Sequence, residues 1–475
     1  MLQFYNTLTR RREVFKPIEN GTVRLYSCGL TVYDYAHIGN LRAYVFVDLL
    51  RRWLEYRGFN VQHVMNLTDV DDKTIRGMKE EGVPLKQYTE KYITAFFEDL
   101  ELLNIKKAKI LPKATEHIEE MVKLIEILLQ KGYAYHSDDG SIYYDISKFK
   151  NYGELSKMKI EELKAGARVK VDEYGKNEAR DFALWRAWDP DDGDVFWETR
   201  LGKGRPGWHI ECSAMSMKYL GTTMDIHTGG VDNIFPHHEN ELAQSEAATG
   251  ERFVNQWLHN EHLVIKGERM GKSLKNFYTL KDLMQKNHDP IAVRFLLLST
   301  YYRKQLHFTF EGLEAAENGL QRLRDFMQRL NETASKTPRQ KMEGDWIRQR
   351  VQETKNDFEK AMDDDLDVSR ALAAVFNLVR DVNRVIDSKS LTDADAELVR
   401  TLMNEIERIL GVLYEKELVL EEPSVEVRKL VLKREEARQM KDWKVADTIR
   451  KRLLKMGFIV EDTPQGPRLR RKRQQ

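Results

Sequence analysis

Two hydrophobic periods alternate along the first seventy residues. The run VRLYSCGLTVY, residues 23 to 33, is β-branched and apolar and predicts a buried strand. After a short turn, apolar Leu41, Val45, Phe46, Leu49, Leu50 and Trp53 recur on one face of a helix. RGFNVQHVMNLTDVDD then supplies a turn at Gly58 and a second strand at about 61 to 67, which completes a βαβ unit with a parallel sheet. Ligands of such sheets bind beyond the carboxyl ends of the strands, where Cys28, His37 and Thr68 fall. From about 85 to 135 the pattern is helical, and residues 140 to 200 are mixed and loop-rich, which predicts an inserted subdomain. MDIHTGGVD reads as a further strand ending in a Gly-rich turn, and PHHENELAQSEAA as a helix opened by Pro236. From about 311 to 415 apolar residues return at helical spacing among many charges, the mark of a helical bundle. EEPSVE, 421 to 426, reads as a linker to a small last unit.

Composition narrows the function classes. The 475 residues are too many for one compact domain and predict two to four. Lys and Arg number 77 against 76 Asp and Glu, a net charge of +1, which excludes a generally basic nucleic-acid binder and leaves room for local basic surfaces such as the ending RLRRKRQQ. There is no run of about 18 apolar residues, and MLQFYNTLTRRREVF lacks the apolar core of a secretion signal. A cytoplasmic protein with neither membrane nor DNA as partner is expected.

Only two cysteines occur, Cys28 and Cys212. In a reducing compartment a structural disulfide is disfavoured, which leaves metal binding or plain burial. His237 and Glu241 are four apart, so on the expected helix both project from one face. With the two cysteines they make a sulfur, sulfur, nitrogen, oxygen set of tetrahedral capacity that suits zinc. Spacing alone favours the plainer reading of buried cysteines and a solvated helix face. His238, Glu239, His227, His209 and Glu211 are further candidates among which periodicity does not choose.

In order along the chain, YSCGLTVYDYAHIGNLR, NLTDVDDK, GWHIECSAM, FPHHENE and EDTPQG closely resemble segments of the cysteinyl-tRNA synthetases, a family of class I aminoacyl-tRNA synthetases. The likeness runs over nearly the whole length. It implies an α/β fold with a Rossmann-type parallel-sheet catalytic domain (1–115 and 205–250) and an inserted connective subdomain (116–204). A signature-loop and stem-contact region (251–310), an all-helical bundle (311–420) and a small C-terminal anticodon-binding domain (421–475) would follow. The resemblance also implies the activity: L-cysteine is activated with ATP and Mg²⁺ to cysteinyl-adenylate and passed to the 3′-terminal adenosine of tRNA(Cys).

Site residues follow from the same likeness. Its zinc ligands, one ion per chain, match Cys28, Cys212, His237 and Glu241, which selects His237 over His238 and gives the ion the substrate sulfur to hold. The HIGH signature matches His37, Ile38, Gly39 and Asn40, with asparagine in place of the second histidine. KMSKS matches Arg269, Met270, Gly271, Lys272 and Ser273, with its first lysine and first serine changed. ATP contacts are thus expected at His37, Gly39, Asn40, Gly230, Asp232, Arg269, Lys272 and Ser273. The amino-acid pocket is expected at Trp208 and His227, and anticodon contacts at Arg438, Asp447 and Asp462. Asp69, Asp71 and Asp72 read as helix capping and surface charge rather than as Mg²⁺ ligands. Two alternatives share part of this pattern: a zinc-dependent ligase joining cysteine to an amino sugar, which lacks an anticodon unit, and a noncatalytic tRNA-binding paralogue.

Overall fold

A computed structural model of the chain describes residues 1–158, 181–265, 267–270, 276–333, 346–413, 425–440, 442–456, 458–463 and 466–471. Its contacts separate two compact units, Met1–Leu280 with Pro290–Leu413, and Lys281–Asp289 with Tyr414–Gln475.

The first unit is built on four parallel strands, β1 (Thr22–Ser27), β2 (Asn60–Met65), β3 (Met224–Gly230) and β4 (Val254–Asn260), in the order β4-β3-β1-β2. The chain leaves β1 towards β2 on one side, and β3 joins on the other. Between β1 and β3 lies the switch point at which an open parallel sheet leaves a crevice at its carboxyl edge. Val23, Leu25 and Tyr26 of β1 and Met224 and Ile226 of β3 are fully buried, as strands covered on both faces require.

The crossover helix α1 (Ile38–Tyr56) is amphipathic as its sequence predicts, burying Leu41, Val45, Leu50, Trp53 and Leu54. Two expectations are corrected. The strand predicted over 23–33 ends at Ser27, because a Cβ at Gly29 would lie 1.6 Å from the Asn66 carbonyl oxygen and the chain there follows the backbone beyond β2 closely. Thr31 then bridges Thr68. The helical stretch of 85–135 is also broken. Helix α2 (Asp72–Glu81) precedes α3 (Leu85–Leu102) and α4 (Ile118–Gln130), and between the last two Ile110 and Lys113 bridge Val64 and Leu67.

A five-stranded antiparallel sheet follows, of Ala134–His136, Ile142–Tyr144, Phe182–Ala187, Gly202–Pro206 and Trp197–Thr199 in spatial order. Tyr144 and Trp185 from this sheet pack in one core with apolar residues of α4, α5 (Trp208–Leu220) and α6 (Glu239–Thr249). Farther along, helices Phe310–Thr333, Trp346–Asp363, Val368–Asp387 and Asp393–Leu410 fall within the predicted helical stretch. The second unit, taken by itself, has helices Val425–Gln439 and Trp443–Lys455 and the hairpin Phe458–Thr463 with Gly466–Arg471, closed over Val427, Val431, Leu453 and Val460. Residues 421–424 of the expected linker lie outside the described residues. Among the described residues no helix is long and apolar enough to cross a membrane.

Candidate active site

The crevice at the carboxyl edge holds a cavity of about 530 Å³. Cys28 comes from the end of β1, His37, Gly39 and Asn40 from the start of α1, Trp208 and Cys212 from α5, and Gly230, Asp232 and His237 from the segment after β3.

His37 is the N-cap of α1, and its Nδ1 accepts the Asn40 backbone N–H at 3.1 Å while Asn40 Oδ1 accepts the His37 N–H at 3.2 Å. This reciprocal box satisfies two helix-end donors. It also fixes chemistry: an accepting Nδ1 leaves the proton on Nε2, and a committed Oδ1 leaves the Asn40 amide nitrogen to donate. A Cβ on Gly39 would approach the His37 ring to 2.8 Å, so glycine is what lets the ring lie there. Burial pushes the His37 pKa down, against the pull of Asp232 and Asp34. The same ring meets Phe277 edge-on at 5.3 Å, and Ile38 N–H donates to the Tyr278 carbonyl at 2.9 Å, so the chain returning from the second signature is bound to the first.

One ligand atom each from Cys28, Cys212, His237 and Glu241 falls within 4.8 Å of the others. Phe235 has extended backbone angles, so His237 sits in a wide turn at Ile234–His238 just before α6. The four-residue spacing nevertheless brings His237 Nε2 to 2.9 Å from Glu241 Oε1. Despite burial, His227 and His237 hold the Glu241 carboxyl down at about 2. Burial alone would lower His237, but Glu241 and Cys212 hold it up at about 10. A hydrogen bond from Cys28 brings Cys212 down to about 6, while burial pushes Cys28 well up, so Cys212 is the readier thiolate. Two soft sulfurs, an imidazole and a carboxylate in one buried group fit zinc.

Cys28, His227, His238 and Glu241 form an overlapping group. The first group lines the cavity through Cys28, Cys212 and His237, the overlapping one through Cys28 alone. His227 and His238 stand behind it, with His227 Nε2 at 2.9 Å from Glu241 Oε2 and His238 Nδ1 at 2.7 Å from His259 Nε2. His227 therefore supports Glu241 and is not on the cavity wall, whereas Trp208 is on the wall and stacks on His237 with centroids 4.0 Å apart. The alternation within β3 could not reveal this, because every position from Met224 to Gly229 is buried.

Asp71 caps α2 and Asp72 pairs with Arg186 and Arg205, in line with the capping and surface-charge reading. Asp69 departs from it: the residue is buried and accepts from the Thr115 N–H and hydroxyl at 2.9 and 2.6 Å. Of the second signature, Met270 lines the cavity. The Arg269 side chain, Gly271, Lys272 and Ser273 lie outside the described residues, as does the Asp462 side chain. In the second unit Arg438 lies over the Trp443 ring at 5.8 Å, and Asp447 is exposed, 3.8 Å from Arg450.

Residues 14–318 match the family of class I (C) tRNA synthetase catalytic domains, 357–414 the DALR domain, and 422–475 the cysteinyl-tRNA ligase anticodon binding domain. The chain is 49% identical to a cysteine–tRNA ligase of Protochlamydia amoebophila (strain UWE25), over 99% of this chain and 98% of that one. It is also 49% identical to the cysteine–tRNA ligase of Brachyspira hyodysenteriae (strain ATCC 49526 / WA1), over 99% of each. Among solved structures, a Mycobacterium tuberculosis methionyl-tRNA synthetase in complex with methionyl-adenylate shares the fold at 15% identity, with a TM-score of 0.60 over 86% of this chain and 94% of the other.

Proposed function

This chain belongs to the cysteine–tRNA ligases, and on that premise we propose how its residues divide the work of an ATP-dependent ligase that charges tRNA with cysteine. The observation that carries the reading is that the Cys28, Cys212, His237 and Glu241 group opens into the same cavity as the His37–Asn40 cap.

In the first half-reaction the cysteine carboxylate attacks the α-phosphorus of ATP. A new oxygen–phosphorus bond forms, the bond to the β-phosphate bridge breaks, and pyrophosphate leaves. Charge grows on phosphoryl oxygens, so positioned donors and cations are what the protein must provide. His37 Nε2–H and the Asn40 amide suit the α-phosphate, at a helix start where anions are favoured. Arg269, Lys272 and Ser273 are assigned to the β- and γ-phosphates with Mg²⁺. Gly230 lets the backbone approach the nucleotide, and Asp232 accepts from ribose hydroxyls. In the second half-reaction a hydroxyl of the terminal adenosine of tRNA(Cys) attacks the acyl carbon and AMP leaves.

Cys28, Cys212, His237 and Glu241 would hold one zinc, with Trp208 packed on His237 and His227 behind Glu241. When bound, the ion supplies a soft Lewis acid that takes a thiolate in preference to a hydroxyl. Four decades of preference for cysteine over serine correspond to about 5.5 kcal/mol. Arg438, Asp447 and Asp462 are assigned to anticodon bases, whose exposed edges match a guanidinium and carboxylates. Two thiols and the need for ATP and tRNA fit the cytoplasm. We assign 116–204 to the connective insertion and 251–310 to the signature-loop region.

The test is charging of a mixed tRNA pool with labelled cysteine, with serine in parallel. Charging with cysteine alone is expected. Cys28→Ala should lose bound zinc and cysteine activation together, and full activation by a zinc-free variant would refute the assignment. Adenylate formation without charging would favour the amino-sugar ligase.

A further inference from the structure

Asn260 ends β4 and pairs with Gly230 at the end of β3. It is 4% exposed, lines the cavity, and donates from Nδ2 to the Glu261 carbonyl at 3.3 Å. Among the described residues its Oδ1 has no hydrogen-bond partner. Among the described residues lining the cavity, it is the one buried side-chain polar atom left in that state. A buried carbonyl oxygen without a donor is unfavourable unless something that enters the cavity supplies one.

The orientation of this amide is imposed from behind. Arg42 on α1 is 2% exposed and donates from Nη1 to the Glu261 and His262 carbonyls at 2.7 and 2.6 Å, and from Nη2 to the Lys304 carbonyl at 2.5 Å. The Glu261 carbonyl is therefore fixed where the Asn260 NH₂ can reach it. Turning the amide over would set Oδ1 against that carbonyl, acceptor against acceptor. Oδ1 is thus a pre-organised acceptor.

Position identifies the donor it suits. Cys28 follows β1, and β4 lies two strands away, roughly 9 to 10 Å at ordinary strand spacing. The Cys28, Cys212, His237 and Glu241 group, assigned to the amino acid's sulfur through zinc, is at the other end of the crevice. Asp232 follows Gly230 and serves the ribose. Beyond Asn260 the wall continues through His262, Leu263, Met270 and Phe277, flat or apolar surfaces suited to a purine ring.

We propose that Asn260 Oδ1 accepts a hydrogen bond from the 6-amino group of adenine and that it thereby favours ATP over purine nucleotides with a 6-oxo group. A 6-oxo purine would present a carbonyl to Oδ1. The inference rests on the cavity being the ATP site of a cysteine–tRNA ligase.

Cysteine-dependent pyrophosphate exchange by the full chain tests it, with ATP and with purine riboside triphosphate, which lacks the amino group. The unmodified protein is expected to use ATP about 10-fold or more better in kcat/KM. Asn260→Ala should lose that preference, falling with ATP and staying unchanged with the analogue, while its KM for cysteine stays put. Activity with the analogue also shows that the variant is folded. A variant that keeps the preference, or loses equally with both nucleotides, overturns the inference. So does an unmodified protein that uses both nucleotides alike, whatever the variant does. A loss in Asn260→Ala that disappears with 2′-deoxy-ATP would assign the bond to the ribose and overturn the base assignment. Failure of the unmodified protein to exchange with ATP would instead bring down the functional reading, and this inference with it.

Discussion

His37 uses its two ring nitrogens for different ends: Nδ1 closes the helix cap with Asn40, which leaves the proton on Nε2 of a ring that lines the cavity. Gly39 is the residue that allows both, since its missing Cβ is the space in which the ring lies. Gly39→Ala should therefore separate stability from activity. Alanine is the better helix former by about 1 kcal/mol, and the ring it displaces is a side chain that can swing away, so the melting temperature should move by only a few degrees. Pyrophosphate exchange should fall about 100-fold, the scale of a lost oxyanion donor. A variant of unchanged activity would remove His37 from the phosphate. At this scale the sequence offers Cys28, Cys212, His237 and Glu241 as a possible donor set by residue type, and it is the resemblance, not the spacing, that picks His237 from its neighbours. It expects His227 in the amino-acid pocket and gives Asn260 no role, since what each does depends on which neighbour it faces from a buried strand position.

Helix α1 carries a second polar constellation, buried and remote from its cap. Asp48 accepts Arg52 Nε at 2.8 Å and Arg294 Nη2 at 2.6 Å, and Arg294 also donates to the Leu410 carbonyl at 2.8 Å, at the end of helix Asp393–Leu410. Helix α1 and the end of helix Asp393–Leu410 are thus joined through the Asp48–Arg294 pair. Burial alone would raise the Asp48 pKa, but Arg294 and Arg52 outweigh it and hold the group below its ordinary value. A depressed folded-state pKa contributes stability that is present above the unfolded value of about 3.9 and is lost as pH falls through the folded value. Asp48→Ala leaves two buried guanidinium groups without their anion and should cost about 3–5 kcal/mol in a urea titration at pH 7. Asp48→Asn should flatten the fall in stability below about pH 4 that the parent protein shows. An unchanged pH profile would mean that Asp48 does not hold the two elements together. Element type was legible from periodicity, as the match of α1 to its apolar face shows, but strand and helix ends were not. β1 stops at Ser27 because Gly29 runs against the backbone of Asn66, far along the chain, which no local pattern encodes.

The two compact units separate the chemical step from tRNA identity, because the parallel sheet, the donor group and the helix cap all belong to the first. In the sequence a last unit is announced by the linker composition of 421–426 and by the resemblance, whereas Arg438 and Asp447 look like ordinary helix-surface charges, and the match of 422–475 to an anticodon binding domain covers their neighbours equally. The division has a kinetic consequence. If Arg438 and Asp447 read anticodon bases, their removal weakens tRNA binding in the ground state and the transition state alike and leaves adenylate formation untouched. Arg438→Ala and Asp447→Ala should each lower charging of tRNA(Cys) in kcat/KM by about 10-fold to 100-fold, the 1–3 kcal/mol of one base contact, with the cysteine-dependent exchange rate at the parent value. Asp447 is exposed and its ion pair with Arg450, at 3.8 Å, is a weak surface contact, so a fold defect would not explain such a loss. Exchange falling in parallel with charging would mean that these residues act on the catalytic step. Charging that stays at the parent value would place anticodon recognition elsewhere on the second unit.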